Sequence, residues 1–378
     1  MNKSKIQTPA ILLDLNILEK NLKTHHQMAS ANSKYIWPMI KTHKSTEIAR
    51  MQLDYGATGF LCGTLDECEA IYETFVCNDK RNISIMYAYP VASQPNIARV
   101  VKLAKKCNFY LRLDGYEQAA LLNKAGEDAG VCINYTVIIN SGLNRLGVLP
   151  CTELKNLVNK ISHFKHLKLC GISTHPGHAY SEIDIAGIKK VAQQESGIMQ
   201  TAAQTLHSMK ITPQLITTGS TPTYPYVVND LLIGIFHPGN YVFMDNMQVA
   251  LECVTEAECA LTVLVTVISN PREGEYIIDA GTKCLSLDKG AHGTGKITGH
   301  GRVKNYEDTI DIVSLSEEVG KIIVDKKHRN SVKVGDKLEI IPNHACATAN
   351  NTSCFIGIRK GVVDKVISVD MRGNSTAK

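Results

Sequence analysis

The chain has 378 residues, 44% hydrophobic and 20% charged, with a formal net charge of +5. Such a composition belongs to an ordinary globular protein long enough for two domains, one of which could be a barrel of roughly 250 residues. The charge is spread along the chain, and its densest basic run, Lys326-Lys327-His328-Arg329, has no aromatic residues interleaved, so it reads as a solvated hairpin rather than a nucleic-acid-binding stripe.

The N-terminal stretch, Met1 to Pro9, shows no apolar run behind its charges, and no segment approaches the length of a membrane span. A strand is expected over 8–13, followed by Asp14 as the cap of a helix with Leu15, Leu18 and Leu22 on one face. From residue 35 onward, apolar runs recur at intervals of about 25 residues, each followed by a helical pattern. The strands are expected to begin near Tyr35, Gly59, Ile83, Asn108, Ile133, His166, Gln214 and Leu232. Thr64-Leu65-Asp66-Glu67 has the form of a capping box. Eight strands without a glycine-rich first turn point to an α/β fold with a (β/α)8 TIM-like barrel over 14–245 rather than an open doubly wound sheet.

After about Asn246 the helical pattern gives way to strand-like runs such as Val263 to Ile268 and Lys337 to Ile341, separated by Gly, Asn and Asp turns. Residues 246–378 are expected to form a C-terminal β-rich domain, joined by the strand over 8–13. Twelve cysteines without C-x-x-C pairs fit thiols in a reducing compartment, and the protein is expected in the cytoplasm.

Active sites of such barrels lie at the C-terminal ends of the strands. Unusual polar residues fall there repeatedly: Lys41, Tyr89, Asn140 to Arg145, Thr174 to Tyr180, and Thr217 to Thr221. Strict alternation would turn Trp37, Met39 and Lys41 toward the interior, where an apolar setting desolvates the amine and favours its nucleophilic form. A lysine at a barrel mouth could carry pyridoxal phosphate as a Schiff base, with Lys44 as the rival position. Gly219, Ser220 and Thr221 have the chemistry of a phosphate cradle. His344 and Cys346, two residues apart in Pro342-Asn343-His344-Ala345-Cys346, would share one face of a strand and offer zinc-type ligation with open positions.

Taken in order, Thr8-Pro9-Ala10, Lys41-Thr42-His43-Lys44, Asn144-Arg145-Leu146-Gly147-Val148, Gly219-Ser220-Thr221-Pro222-Thr223, Pro238-Gly239-Asn240-Tyr241-Val242-Phe243, Asp279-Ala280-Gly281 and Pro342 to Cys346 resemble one family. It is the metal-dependent D-serine dehydratase and D-threonine aldolase family, with its alanine-racemase-like barrel. The resemblance implies pyridoxal phosphate on Lys41, with the freed amine as base. His175 would be a second catalytic residue. Cofactor contacts are implied for Arg145, Tyr180, Gly219, Ser220, Thr221, Gly239, Asn240 and Tyr241. It also implies a divalent metal, Zn2+, on His344 and Cys346, and a head-to-tail homodimer. The substrate would be a small D-amino acid, with no nucleic-acid or membrane partner.

A cysteine as the second metal ligand, where aldolases place Asp, and the His175-Gly177-Tyr180 loop both resemble the dehydratase branch. The expected reaction is elimination of water from a D-3-hydroxy amino acid, D-serine giving pyruvate and ammonia. The alternative is aldol cleavage to glycine and an aldehyde, followed by racemisation or a non-catalytic carrier role. Trp37, Met39, Asn140, Ile235, His237 and Val319 depart from the family, which commonly has charged or histidine side chains there.

Overall fold

Asp14 opens the first helix as its position predicts. In the computed structural model, which describes residues 1–288, 296–306, 310–328 and 331–373, its Oδ1 accepts from the N–H groups of Asn16 and Ile17. The helix that follows, α1 (Leu15–Ala31), buries Leu15, Leu18 and Leu22 completely. The strand before it, β1 (Ala10–Asp14), belongs to the C-terminal sheet.

Eight parallel strands form the first sheet: β2 (Tyr35–Ile36), β3 (Gly59–Cys62), β4 (Ser84–Tyr87), β5 (Asn108–Leu113), β6 (Ile133–Ile138), β7 (Leu167–Ser173), β8 (Leu215–Thr218) and β9 (Ile235–Phe236). Their order, β2-β9-β8-β7-β6-β5-β4-β3, places first beside last. The ring closes where Leu61 N–H donates to Pro38 O at 2.9 Å and Met39 bridges Leu61 in parallel. The expected barrel is therefore present, and seven of the eight strands begin within one residue of the predicted starts.

The outer layer includes α2 (Thr46–Asp54), α3 (Leu65–Ile71), α4 (Gln94–Lys106), α5 (Tyr116–Ala129), α6 (Thr152–Ile161) and α7 (Ile185–Ser208). Ile85, Leu111, Val137 and Ile172 pack in the same cluster as Val100, Leu122, Leu154 and Ala203 from those helices. A smaller cluster of Trp37, Leu61, Met86, Ala88 and Ile235 fills the barrel interior.

The capping box at α3 is only half formed. Thr64 Oγ1 accepts from Glu67 N–H, but the Glu67 carboxylate turns away to Gly63 N–H and Lys44. The reciprocal bond is given up because a buried cation competes for the carboxylate.

The second sheet contains β1, β10 (Leu261–Arg272), β11 (Glu275–Ile278), β12 (Arg302–Val303), β13 (Ile312–Leu315), β14 (Gly320–Ile323), β15 (Lys337–Ile341), β16 (Cys354–Arg359) and β17 (Val362–Ser368). Here β1 runs antiparallel to β10 and parallel to β16, pairing Leu12 with Thr262 and Ile356. Lys326, Lys327 and His328 form a turn after β14, with both lysines exposed; Arg329 lies outside the described residues. No helix among the described residues is long and apolar enough to cross a membrane.

Candidate active site

The barrel mouth opens into a cavity with about 1050 Å³ of space unfilled by atoms, open solvent at its entrance included. Its wall includes Lys41, Arg145, His175, Tyr180, Gly219, Ser220, Thr221, Gly239, Asn240, His344 and Cys346. All the predicted site residues except Tyr241 thus meet in one place.

Tyr241 is buried elsewhere, between α1 and α2, where its hydroxyl pairs with His26 Nε2 and Gln52 Nε2, each at 3.1 Å. Its neighbour Asn240 faces the cavity because residues 240–242 form a 3-10 turn, which sends successive side chains in different directions.

Lys41 also lies on a 3-10 turn, Ile40–Thr42, and not on a strand. It is exposed, which corrects the expected apolar burial. Trp37 and Met39 do face the barrel interior, and Trp37 Nε1 donates to Thr58 Oγ1 at 3.0 Å. The rival Lys44 is buried and paired with Glu67 at 2.6 Å.

The Gly219–Thr221 turn follows β8. A Cβ on Gly219 would meet the backbone of His237 at 2.5–2.9 Å, so only glycine fits. Ser220 and Thr221 are buried, and Ser220 Oγ lies 3.0 Å from Thr223 Oγ1. Gly239 is similarly confined, with Thr42 Oγ1 at 2.8 Å from where a Cβ would stand. Asn240 donates through Nδ2 to Asp245 at 2.7 Å, leaving its buried Oδ1 without a partner among the described residues.

His175 donates through Nδ1 to Gly219 O at 2.7 Å, which fixes the tautomer and leaves Nε2 as an acceptor. Burial, with Lys41, Arg145 and Arg112 nearby, lowers its pKa to about 3 despite that hydrogen bond. Burial also raises the Tyr180 phenol, and Cys346 and Asp245 push the same way. Arg145 is exposed, with its guanidinium 5.9 Å from the Tyr89 ring.

His344 and Cys346 meet at the mouth, although not on a strand. β15 ends at Ile341, and His344 precedes a short helix, Ala345–Asn350. Pro342 supplies the reason, since it has no N–H to continue the ladder. His344 Nδ1 lies 2.6 Å from Asp288 Oδ2, and Cys346 Sγ is 3.5 Å from Thr42 Oγ1. Burial opposes charge on both groups, yet their mutual attraction raises the imidazole and lowers the thiol.

Three cavity residues were given no site role in the sequence, although His237 stands out there as a departure from the family. Arg112, 4% exposed on β5, reaches Thr217 Oγ1 at 3.4 Å, and its Nε has no partner among the described residues. Burial lowers its pKa to about 10. His237 donates through Nδ1 to Trp37 O at 2.8 Å, leaving Nε2 unpartnered. Thr42 supports Cys346 and crowds Gly239. A charged residue inside the run Phe109-Tyr110-Leu111-Arg112-Leu113 was the one local signal available for Arg112. Asp288, the partner of His344, was missed as well.

The residues suit the groups implied by the resemblance. Among the described residues on the cavity wall, Lys41, Arg112 and Arg145 are cationic and none is Asp or Glu, which favours an anionic cofactor. Unpartnered buried atoms on Asn240, Arg112 and His237 offer hydrogen bonds to a guest. His344 and Cys346 form a nitrogen and sulfur donor pair, and Asp288 takes the second ring nitrogen as carboxylates do behind metal-bound histidines. No group of three or more His, Cys, Asp or Glu side chains suited to a metal occurs among the described residues.

The alanine racemase N-terminal domain model matches residues 13–247, and the model described as "Putative serine dehydratase domain" matches 260–358. A 3-hydroxy-D-aspartate aldolase of Paracoccus denitrificans is 27% identical, covering 99% of this chain and 94% of its own. A D-serine dehydratase of Dictyostelium discoideum is also 27% identical, covering 92% of both chains. The crystal structure of a D-threonine aldolase from Filomicrobium marinum has a TM-score of 0.89 over 99% of this chain and 97% of its own, at 24% identity. With the racemase-type model spanning well over half of it, the chain belongs to the D-serine dehydratase and D-threonine aldolase family of alanine-racemase-like barrel enzymes.

Proposed function

We propose that this chain is a pyridoxal-phosphate- and metal-dependent lyase that eliminates water from a D-3-hydroxy amino acid, converting D-serine to pyruvate and ammonia. The observation that carries the reading is the meeting of Lys41, the Gly219–Thr221 turn and the His344–Cys346 pair in one cavity. Bound there, the cofactor supplies an electron sink for charge developing at Cα, and the metal a Lewis acid for the departing hydroxyl.

Lys41 is the residue to hold the cofactor and, as a free amine, to take the α-proton. Ser220, Thr221 and the backbone N–H groups of their turn would bind the phosphate. Gly239 and Asn240, beyond the neighbouring strand β9, line the same cavity with Arg145 and Tyr180. His175 is neutral near pH 7 and offers a lone pair rather than an acidic proton. His344 and Cys346 would hold zinc, because imidazole with thiolate is borderline-soft ligation.

The same reading assigns 14–245 to the cofactor and 246–378, with the strand over 8–13, to the metal. It places a homodimer in the cytoplasm, in keeping with twelve free thiols. The relatives named as aldolases support cleavage to glycine and an aldehyde as the alternative. Cys346 in the second metal position favours elimination. Product analysis with D-serine and D-threonine separates the two. Pyruvate or 2-oxobutyrate with ammonia is expected; glycine with acetaldehyde would assign the chain to cleavage.

A further inference from the structure

A buried carboxyl lies directly behind the anion-holding turn. Glu195, on α7, is completely buried and accepts a hydrogen bond from Thr218 Oγ1, the residue preceding Gly219. Thr223, whose Oγ1 lies 3.0 Å from Ser220 Oγ, is a second hydroxyl close enough to favour the ionised form of Glu195. One residue, Thr218, therefore separates this carboxyl from the Gly219–Thr221 turn. Its Oε2 has no partner among the described residues.

Among the described residues, no cation is paired with Glu195. Asp230, beyond Tyr224–Val227, is the charged group that acts on it, and it pushes against ionisation. On the barrel side, Thr217 and Thr218 are uncharged, and Arg112 spends its contact on Thr217 at 3.4 Å. Burial raises the Glu195 pKa to about 7, with Asp230 adding to the rise and the Thr218 and Thr223 hydroxyls opposing it.

We propose that Glu195 is a positioning residue whose proton is coupled to phosphate at the Gly219–Thr221 turn: a phosphate dianion binds when Glu195 is a neutral acid and is repelled when Glu195 is ionised. The inference rests on the reading of that turn as the cofactor's phosphate site. As a neutral acid Glu195 carries its proton on Oε2 while Oε1 still accepts from Thr218 Oγ1, which keeps the turn's network intact without adding negative charge. When the free protein is ionised, a dianion binds only with uptake of one proton from solvent. Affinity then falls as pH rises above about 7. The phosphate's own second ionisation, near pH 6, is largely complete below that window.

The test compares pyridoxal phosphate with pyridoxal on the full chain freed of cofactor, from pH 6 to 9. Both ligands react with Lys41 through the same carbonyl, so once the fraction of pyridoxal closed as its internal hemiacetal is divided out at each pH, the Lys41 contribution cancels in the ratio of their affinities. The preference for the phosphorylated ligand should fall by up to about tenfold per pH unit above pH 7 and become flat in Glu195→Gln. A flat wild-type ratio, or a slope that survives Glu195→Gln, overturns the proposal. If pyridoxal phosphate binds no better than pyridoxal even at pH 6, the phosphate-site reading itself fails. Should Glu195→Gln not fold, calorimetry of the wild type at pH 8 in two buffers of different ionisation enthalpy decides. Close to one extra proton should be taken up with pyridoxal phosphate, and no difference from pyridoxal overturns the coupling.

Discussion

His344 gives one ring nitrogen to Asp288, with Nδ1 2.6 Å from Oδ2. That contact fixes the ring's orientation and leaves Nε2 as the nitrogen available to a metal. Asp288→Ala should weaken zinc binding by about 10–100-fold. A chelator-competition titration measures the loss, while the cofactor absorbance should stay unchanged. Unaltered zinc affinity would mean that Asp288 does not orient the ligand.

Removal of a ligand itself should act on chemistry rather than cofactor loading. His344→Ala and Cys346→Ala are expected to keep the bound-cofactor absorbance and to lower D-serine turnover by at least about 100-fold. Normal turnover in either variant would remove the metal from the mechanism.

The Lys44–Glu67 pair, at 2.6 Å with side chains 4% and 0% exposed, makes a different prediction. Breaking it leaves a charge buried alone, so Lys44→Met or Glu67→Leu should cost about 3–5 kcal/mol in urea unfolding. The double variant should recover much of that loss, because two apolar side chains leave no isolated charge. Glu67 also accepts from Gly63 N–H at 2.6 Å, which limits the recovery. Additive losses would contradict pairing as the cause.

Acid should destabilise the fold before it ionises the site. Burial lowers His25 and His26 to about 4, and His43 and His175 to about 3, from an ordinary value of 6.5. As pH falls through 6.5 the unfolded chain takes up protons that the folded chain refuses, so stability drops toward pH 4. Each histidine contributes about 1.4 kcal/mol per pH unit once the unfolded state is protonated. Glu195, raised to about 7, has the opposite sign and offsets roughly one of them. Urea midpoints should therefore fall steadily from pH 7 to pH 5; constant or rising midpoints would contradict neutral burial of these rings.

The barrel was legible because each buried parallel strand is a short apolar run with a helix behind it, as Ile133–Ile138 is with α6. The site was legible where a residue type was uncommon for its place, as with Lys41 and His344. Errors arose where alternation was carried past the end of a strand. Pairing continues past β2 as far as Met39, but the chain becomes a 3-10 turn at Ile40, so the two-residue offset no longer governs Lys41. The same error put His344 and Cys346 on a strand that ends at Ile341. Asp288 and His237 were missed because their partners are 56 and 200 residues away, and no local spacing encodes such contacts.

The central claim is that cofactor and metal act together on one substrate. It is tested most directly by following D-serine elimination and cofactor absorbance in the same sample as a chelator is added. Pyruvate formation should stop while the absorbance persists, and zinc should restore it. Undiminished pyruvate formation from fully metal-free protein would contradict the account.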